Sequence, residues 1–298
     1  MAFTTVVEGI KFPEGPRWYD GRLWFSDMHG RKVYALKPGG QPEVVTSLVG
    51  DMPSGLGFLP DGSLLVVARK ARRILRVAPG SSTPEPFADL TGYPLDSLND
   101  MVTGPDGRSY VGGRIERGYS PDSFEVEDGP GARTEVVIRV EPDGSSAIEA
   151  DGLIGPNGSA ITPDGRTLLV AESRGRKVTR FPLADDGTLG ERDLFADTGE
   201  YYPDGLCLDA QGAVWVGAPM RQRFLRIVEG GEVTDVLETG DRWAIACVLG
   251  GDDRRTLYMM TAHNTLENLA ALSEGATEST AVGFVEAVEV EVPGAGWP

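Results

Sequence analysis

The sequence predicts a six-bladed β-propeller, an all-β fold with four antiparallel strands in each blade. Three observations support this fold: a hairpin unit that recurs along the chain, a second hairpin after each of the first five units, and a near absence of runs with helical periodicity. Residues 264–275 could hold at most a short helical turn. Radial repetition of four-stranded sheets accounts for all three observations.

The first hairpin of each unit has an Asp-Gly type turn between two apolar runs. Glycine accepts the positive φ that tight turns require, so this pattern is a strong hairpin signal. The copies cover residues 17–27, 57–69, 102–113, 161–173 and 208–219, with a looser copy at 249–262. The second hairpins cover residues 31–47, 73–89, 134–151, 177–197 and 223–239. Two hairpins per unit provide the four strands of one blade.

The sixth unit has one clear late strand, residues 283–292, and lacks a partner for it. Residues 4–10 have the composition of a strand and can supply that partner, so we expect the N-terminal and C-terminal strands to pair and close the ring. Closure removes the free edges that an open circle of sheets would expose. We therefore expect one domain over residues 1–298, without a linker.

Length and charge exclude several classes of partner. A chain of 298 residues can bury a large core without disulfides or metal. Its 28 basic and 45 acidic residues give a formal net charge of −17, which argues against nucleic acid and anionic membranes as partners. No secretory signal or membrane span is visible, and the two cysteines, Cys207 and Cys247, lie in apolar strand-like runs. We expect a soluble, cytoplasmic protein that acts on a small-molecule substrate, with its oligomeric state left open.

A second repeat stands before the inner strands of the predicted blades. Pro-X-Gly occurs at 13–15, 53–55, 156–158 and 203–205, and Leu-Asn-Asp takes the same place at 98–100. The middle residue lies eight positions before the turn glycine in four units and seven positions before it in the first. Because the innermost strand of every blade lines the axis, one register places the middle residues on one ring around the channel. The five middle residues are Glu14, Ser54, Asn99, Asn157 and Asp204, and the sixth unit, aligned on Asp253, offers Ala246 at this place.

Four of these ring residues carry oxygen donors suited to a metal: Glu14, Asn99, Asn157 and Asp204. Hard oxygen donors without His or Cys favour Ca²⁺ before Mg²⁺, Mn²⁺ or Zn²⁺, with water in the remaining positions. Pro and Gly acting only as loop residues would not explain why four middle residues are able to bind metal. The sequence therefore predicts one divalent cation on the axis.

Three segments carry a resemblance to a known family: FPEGPRW at 12–18, PNGSAITPDGRTLLVAES at 156–173 and YPDGLCLDAQGAVWVG at 202–217. In this order they resemble the SMP-30/gluconolactonase/LRE-like family, also called regucalcin-like, over essentially the whole chain. The resemblance implies a six-bladed propeller with an axial divalent cation and hydrolysis of a sugar lactone or another ester. It also implies Glu14, Asn157 and Asp204 as metal ligands, with Asn99 as a fourth ligand or a substrate contact.

Two features depart from the sugar-lactone members of that family. Ser97 stands two positions before Asn99, where those members often carry arginine, and a long polar segment follows at 112–134. Glu116 lies in this segment, near the place of a substrate-contacting acid in the family. We predict a pocket that differs from that of the sugar-lactone enzymes, with five substrate-binding residues: Asn99, Ser97, Arg114, Glu116 and His263.

The second strand of each blade returns to the face that holds the predicted ligands, so its end should shape the pocket. The residues at these ends are Asp27, Met28, His29, Arg69, Arg114, Glu116, Glu172, Ser173, Met220, Thr261 and His263.

The reaction that we predict is metal-assisted hydrolysis of a lactone or ester. Asp204 would ligate through one oxygen and take a proton from the attacking water through the other, and His263 is the alternative base. No serine elbow or Cys-His pair indicates a covalent mechanism. Three alternatives stay open: phosphotriester hydrolysis, a lyase or isomerase step in biosynthesis, and a non-catalytic calcium-binding propeller. A metal-free strictosidine-synthase-like propeller is disfavoured by the metal-competent ring residues.

Overall fold

The structure, a computed structural model, describes residues 3–116, 118, 134–274 and 276–295. Within these residues the strands form six four-stranded antiparallel sheets arranged in a ring, which confirms the predicted six-bladed propeller. Most of the polar segment 112–134 lies outside the described residues, although Arg114 and Glu116 lie within them. One domain over residues 1–298 stays a prediction.

The chain begins with β1 (Thr4–Ile10), which belongs to the last blade, and then builds blades 1 to 3. Blade 1 consists of β2 (Pro13–Tyr19), β3 (Arg22–Asp27), β4 (Lys32–Leu36) and β5 (Glu43–Ser47). Blade 2 consists of β6 (Pro53–Phe58), β7 (Leu64–Ala68), β8 (Arg73–Val77) and β9 (Glu85–Asp89). Blade 3 consists of β10 (Ser97–Thr103), β11 (Ser109–Arg114), β12 (Glu135–Val140) and β13 (Ser146–Leu153).

Blades 4 to 6 complete the ring. Blade 4 consists of β14 (Pro156–Ile161), β15 (Thr167–Glu172), β16 (Lys177–Pro182) and β17 (Asp193–Asp197). Blade 5 consists of β18 (Leu206–Leu208), β19 (Val214–Ala218), β20 (Arg223–Ile227) and β21 (Val233–Glu238). Blade 6 consists of β22 (Trp243–Gly250), β23 (Thr256–His263), β24 (Val282–Glu289) and β1. Pairing of β1 with β24, in which Thr4 lies opposite Ala287, closes the ring as the sequence predicts.

The turns between the first two strands of the blades have the backbone that glycine permits. Gly62, Gly107, Gly165 and Gly212 have φ values between 69° and 86°, in the left-handed region. The looser copy in blade 6 places Gly251, with φ 88°, at its turn. The hairpin signal in the sequence therefore reflects a real conformational requirement at these positions.

The first strands of the six blades form the wall of the central channel. Each of β2, β6, β10, β14, β18 and β22 packs against the corresponding strand of both neighbouring blades. Between the sheets lie apolar clusters, one of which joins Val7 of β1 to Phe25 of blade 1 and Met260 of blade 6. This packing places the ring residues of all blades around one axis.

Two short segments lie outside the blades at the channel mouth. A 3₁₀ turn spans Pro219–Arg221 after β19, and helix α1 spans Leu266–Ser273 between β23 and β24. The helix has about two turns, where the sequence predicted at most one short turn. Its N-cap is Thr265, whose side chain accepts a hydrogen bond from Asn268 N at 3.2 Å. No helix in the described ranges is long and apolar enough to span a membrane.

Candidate active site

The ring residues lie where the inner strands are irregular. In β2, for example, the pairing with β3 shifts register between Glu14 and Arg17, and similar shifts occur in β6, β10, β14 and β22. In blade 5 the strand β18 begins only at Leu206, and Asp204 precedes it. A bulge interrupts the regular alternation of side chains and can re-aim one of them. The irregular backbone thus accounts for the way in which the middle residues meet at the axis.

The glycines of the Pro-X-Gly motifs lie against the inner strand of the next blade. A Cβ at Gly55 would lie 2.7 Å from the Asp100 carbonyl carbon, and a Cβ at Gly205 would lie 2.7 Å from Ala246 Cα. Gly205 N also donates a hydrogen bond to Ile245 O at 2.9 Å, across the boundary between blades. Only a residue without a side chain allows this approach, so the glycines keep the ring of middle residues narrow.

Four of the six ring residues line one open cavity on the axis: Glu14, Asn99, Asn157 and Asp204. The side chains of the first three are buried, whereas Asp204 keeps part of its surface accessible. Asn157 Nδ2 donates hydrogen bonds to Asp204 Oδ1 and, at 3.0 Å, to Ser173 Oγ. In the described residues, Ser54 and Ala246 are buried outside the lining of this cavity.

The two carboxylates of the cavity are held in an unfavourable environment for negative charge. Burial raises the pKa of Glu14 well above its usual range, and the charges of Asp204 and Asp100 raise it further, while Arg69 lowers it. Burial raises the pKa of Asp204 to about 7, although the positive charge of Arg114 opposes this shift. Two neighbouring acids of this kind become stable as carboxylates when a cation lies between them.

The donor set fits a divalent cation that prefers oxygen. Within the described residues no three His, Cys, Asp or Glu side chains meet as ligands, so the amide oxygens of Asn99 and Asn157 would have to complete the set. Two carboxylates and two amides are typical ligands for Ca²⁺ and are a poor set for zinc, which prefers His and Cys. The chemistry of these donors, together with the raised pKa of both acids, supports the fit.

A buried ion pair, Arg17 with Asp100, lies outside the described lining of the cavity. Arg17 Nη2 of blade 1 lies 3.2 Å from Asp100 Oδ1 of blade 3, and both side chains are almost completely buried. The same nitrogen donates to Met101 O. Asp100 occupies the place of glycine in the blade-3 motif, and its carboxylate also accepts a hydrogen bond from Met101 N at 2.8 Å. This pair links blades 1 and 3, which are separated by blade 2 in the ring.

Four of the five predicted substrate-binding residues fall into two groups. Asn99 and Arg114 line the cavity. Ser97 is buried behind it, where its Oγ donates to Glu116 Oε1 at 2.7 Å, and the same oxygen accepts from Arg69 Nη2 at 2.9 Å. Arg69, from the end of β7, therefore brings a positive charge next to Glu116.

His263, the alternative base, has a side chain that is 43% exposed. Its Nδ1 is 3.7 Å from Asp241 Oδ2, and its ring packs edge-on against Phe284. The other histidine, His29, stacks on Phe12 with ring centroids 4.5 Å apart, and burial lowers its pKa to about 3. Neither ring belongs to the described lining of the cavity.

The strand ends named from the sequence include several residues that line the cavity: Met28, Arg69, Arg114, Ser173 and Met220. Other lining residues were missed: Phe12, Tyr202, Pro219, Trp243 and Leu269. Phe12 and Tyr202 could have been found, because each directly precedes a Pro-X-Gly motif and shares its register. Leu269 lies on α1, whose position over the channel depends on the packing of blade 6, and no local pattern indicates it.

The model of the SMP-30/Gluconolactonase/LRE-like region matches residues 12–263 of this chain. The chain belongs to this family. The 6-deoxy-6-sulfogluconolactonase of Pseudomonas putida is 27% identical over 281 residues, covering 93% of this chain and 89% of that protein. The gluconolactonase of Zymomonas mobilis is 24% identical over 288 residues, covering 88% of this chain and 79% of that protein.

The comparison with solved structures concerns the fold. A calcium-binding protein, regucalcin, from Agrobacterium tumefaciens superposes with a TM-score of 0.76 at 20% identity, covering 97% of this chain and 93% of that chain. At this identity the similarity establishes the propeller architecture. The named relatives place this SMP-30-like chain in a family that contains lactone hydrolases.

Proposed function

We propose that this protein is a divalent-metal-dependent lactonase, which opens a lactone or a related ester by attack of water. The observation that carries the proposal is the meeting of four oxygen donors from four blades, two of them carboxylates with raised pKa, in one axial cavity. Relatives named as lactonases support the reaction class, and a relative described as calcium-binding supports Ca²⁺ as the cation.

Glu14, Asn99, Asn157 and Asp204 would hold the cation, with water in the remaining positions. A divalent cation bound by these residues would supply polarisation of the substrate carbonyl and compensation of the negative charge that develops on its oxygen. Asn157 orients Asp204 through its hydrogen bond to Oδ1, and Ser173 in turn fixes Asn157.

Asp204 is the catalytic base of this proposal. Its carboxylate accepts a proton from the attacking water while the water oxygen bonds to the carbonyl carbon. When the ring C–O bond then breaks, the same carboxyl group returns the proton to the leaving oxygen, and the product is a hydroxy acid. The accessible surface that Asp204 keeps on the cavity side is consistent with this role.

Asp204→Asn tests both parts of the role, since it keeps the shape of the side chain and removes one charge. We expect calcium affinity, measured by equilibrium dialysis, to fall and turnover of a lactone panel at saturating calcium to fall by at least about a hundredfold. Asp164→Asn, in an exposed turn, is the matched control and should change neither. Unchanged turnover in a folded Asp204→Asn protein would refute the base assignment.

A substrate panel separates the proposal from its alternatives. γ- and δ-Lactones, aryl esters and phosphotriesters would be assayed with Ca²⁺, Mg²⁺, Mn²⁺ and Zn²⁺ after chelation. Hydrolysis that disappears with chelator and returns with a metal supports the lactonase, whereas preference for phosphotriesters favours that alternative. Calcium binding without any turnover would favour a lyase or isomerase step or a non-catalytic propeller. The cytoplasmic location remains part of the proposal.

A further inference from the structure

The cavity has two walls of different chemistry. An apolar wall comes from blades 5, 6 and 1 and from α1, and consists of Phe12, Met28, Pro219, Met220, Trp243 and Leu269. The opposite wall, from blades 2 and 3, carries two guanidinium groups, those of Arg69 and Arg114. Because the blades follow one another around the axis, the two walls face each other across the metal-competent residues.

The two arginines differ in how far the protein satisfies them. Arg69 Nη2 lies 2.9 Å from Glu116 Oε1, in a close ion pair. For Arg114, the nearest carboxylate in the described residues is Glu135, whose Oε1 is 3.9 Å from Arg114 Nε, too far for a hydrogen bond. Glu135 Oε1 lies much closer to Arg174 Nη2, at 2.6 Å. Within the described part of the chain, the Arg114 guanidinium donates no hydrogen bond.

An arginine in this state is a binding group for an anion. The Arg114 side chain is 17% exposed, so little water can replace its missing partners. Its planar group presents five donors that match the oxygens of a carboxylate, sulfonate or phosphate. The cavity supplies the space in which such an oxyanion would reach it.

The apolar wall restricts the rest of the substrate. A sugar lactone carries a hydroxyl group on most of its carbons, and each hydroxyl that faces this wall would lose its hydrogen bonds to water without replacement. An aryl or alkyl group would instead exchange water for contacts with Trp243, Leu269 and Met220. The wall therefore favours an apolar body over a polyol.

We propose that the substrate is an amphiphilic anion, a lactone or ester with an apolar body on the Trp243 side and an anionic group bound by Arg114. The inference rests on the proposed lactonase function for the bond that reacts, but the binding pattern can be measured without turnover. It names Arg114 as the residue that selects the anionic group and the wall around Leu269 as the surface that selects the apolar body.

Calorimetric titration of the calcium-loaded protein tests the pattern with three probes: 4-phenylbutanoate, its neutral amide, and D-gluconate. We expect 4-phenylbutanoate to bind about tenfold more tightly than either of the others, because each of these lacks one of the two features. Arg114→Gln should remove the preference for the acid over the amide. Arg166→Gln, on an exposed turn of blade 4, should keep it.

The apolar wall has its own pair of variants on one helix. Leu269→Gln should weaken the binding of 4-phenylbutanoate and of its amide by the same factor. Leu266→Gln, outside the cavity lining, should leave the affinity for both probes unchanged. Equal or tighter binding of D-gluconate would overturn the inference. A preference for the acid that survives in Arg114→Gln would also overturn it, since the carboxylate would then be bound by the cation.

Turnover separates this inference from the lactonase proposal. Dihydrocoumarin, a dihydrocoumarin carboxylate and D-glucono-δ-lactone would be compared by kcat/KM at saturating calcium. The inference predicts the order carboxylate, dihydrocoumarin, gluconolactone. Fastest turnover of gluconolactone would refute the inference and support the lactonase. The expected binding pattern without opening of any lactone would refute the lactonase and support the inference.

Discussion

Folding buries the carboxyl groups of Glu14 and Asp204, which makes their negatively charged forms unfavourable unless a cation binds. Their pKa values are raised because burial removes water from both carboxylates. Nearby negative charges add to the effect, those of Asp204 and Asp100 for Glu14 and that of Asp100 for Asp204. Asp100, the third acid near them, raises the pKa of both groups although it is itself paired with Arg17. A cation bound between Glu14 and Asp204 would relieve both costs, which links metal binding to stability.

The raised pKa of Asp204 predicts how the stability of the metal-free protein depends on pH. In the unfolded chain Asp204 loses its proton near pH 4, but in the folded protein its pKa is about 7. The folded state thus binds more protons between these values, so the free energy of unfolding should fall as pH rises from 5 to 8. Asp204→Asn should lessen this fall by on the order of 2 kcal/mol, as measured by urea denaturation after chelation.

Calcium should reverse which of the two proteins, the wild type or Asp204→Asn, is the more stable. At pH 8 the metal-free Asp204→Asn protein should be more stable than the wild type, whereas saturating calcium should stabilise the wild type more, because the variant binds it weakly. Asp164→Asn is again the control for a loss of charge elsewhere. The same pH slope in the wild type and in Asp204→Asn would contradict the assignment of the raised pKa.

At the scale of the element, the inner strands are constrained by contact with each other. The strand β6 passes so close to β10 that a side chain at Gly55 would meet the backbone of Asp100. Backbone atoms cannot move away as a flexible side chain can, so the cost of added volume is not relieved locally. The same closeness sets the distances between the oxygen donors at the axis.

Gly55→Ala should destabilise the protein by about 1–3 kcal/mol, because the new methyl group would lie 2.7 Å from the Asp100 carbonyl carbon. Gly92→Ala is a matched control, since its new methyl group would have no atom within 4 Å and its φ is not in the left-handed region. It should be neutral or slightly stabilising. Denaturant midpoints of both variants measure the difference, and equal midpoints would show that the inner strands can separate without cost.

At the scale of the whole molecule, the ring depends on one strand from the start of the chain. Val7 of β1 lies in the same buried cluster as Phe12 of the cavity and Phe25 of blade 1. The pairing of β1 with β24 therefore joins the last blade to the first and covers the edge that β24 would otherwise present. Stability of the site and closure of the ring rest on the same core.

Val7→Asp should lower the free energy of unfolding by about 3 kcal/mol or more, because it places an unpaired charge in this core. Val49→Asp makes the same chemical change at a residue that is 99% exposed, and should leave stability nearly unchanged. Thermal melts of the two variants measure the contrast. A Val7→Asp protein with the melting temperature of the wild type would show that β1 is dispensable for closure of the ring.

Particular residues show how far the site could be predicted. Glu14, Asn99, Asn157 and Asp204 share a register that can be counted from a turn glycine, and the structure brings them into one cavity. Their role as metal ligands remains a proposal. Trp243 and Leu269 share no such register, because the first stands at a strand start of blade 6 and the second on a helix outside the repeat. The apolar wall therefore could not be predicted from the sequence.

The sequence by itself determined the number of blades, the hairpins and the register of the ring residues, because tight turns and strand alternation depend on neighbouring residues. Only the tertiary structure decided which ring residues line the cavity. It also decided that Glu116 is bound by Ser97 and Arg69, and that the hydrogen-bond donors of Arg114 stay available. Those features depend on contacts between different blades, where burial and distance set the charge balance, and no local pattern records such contacts.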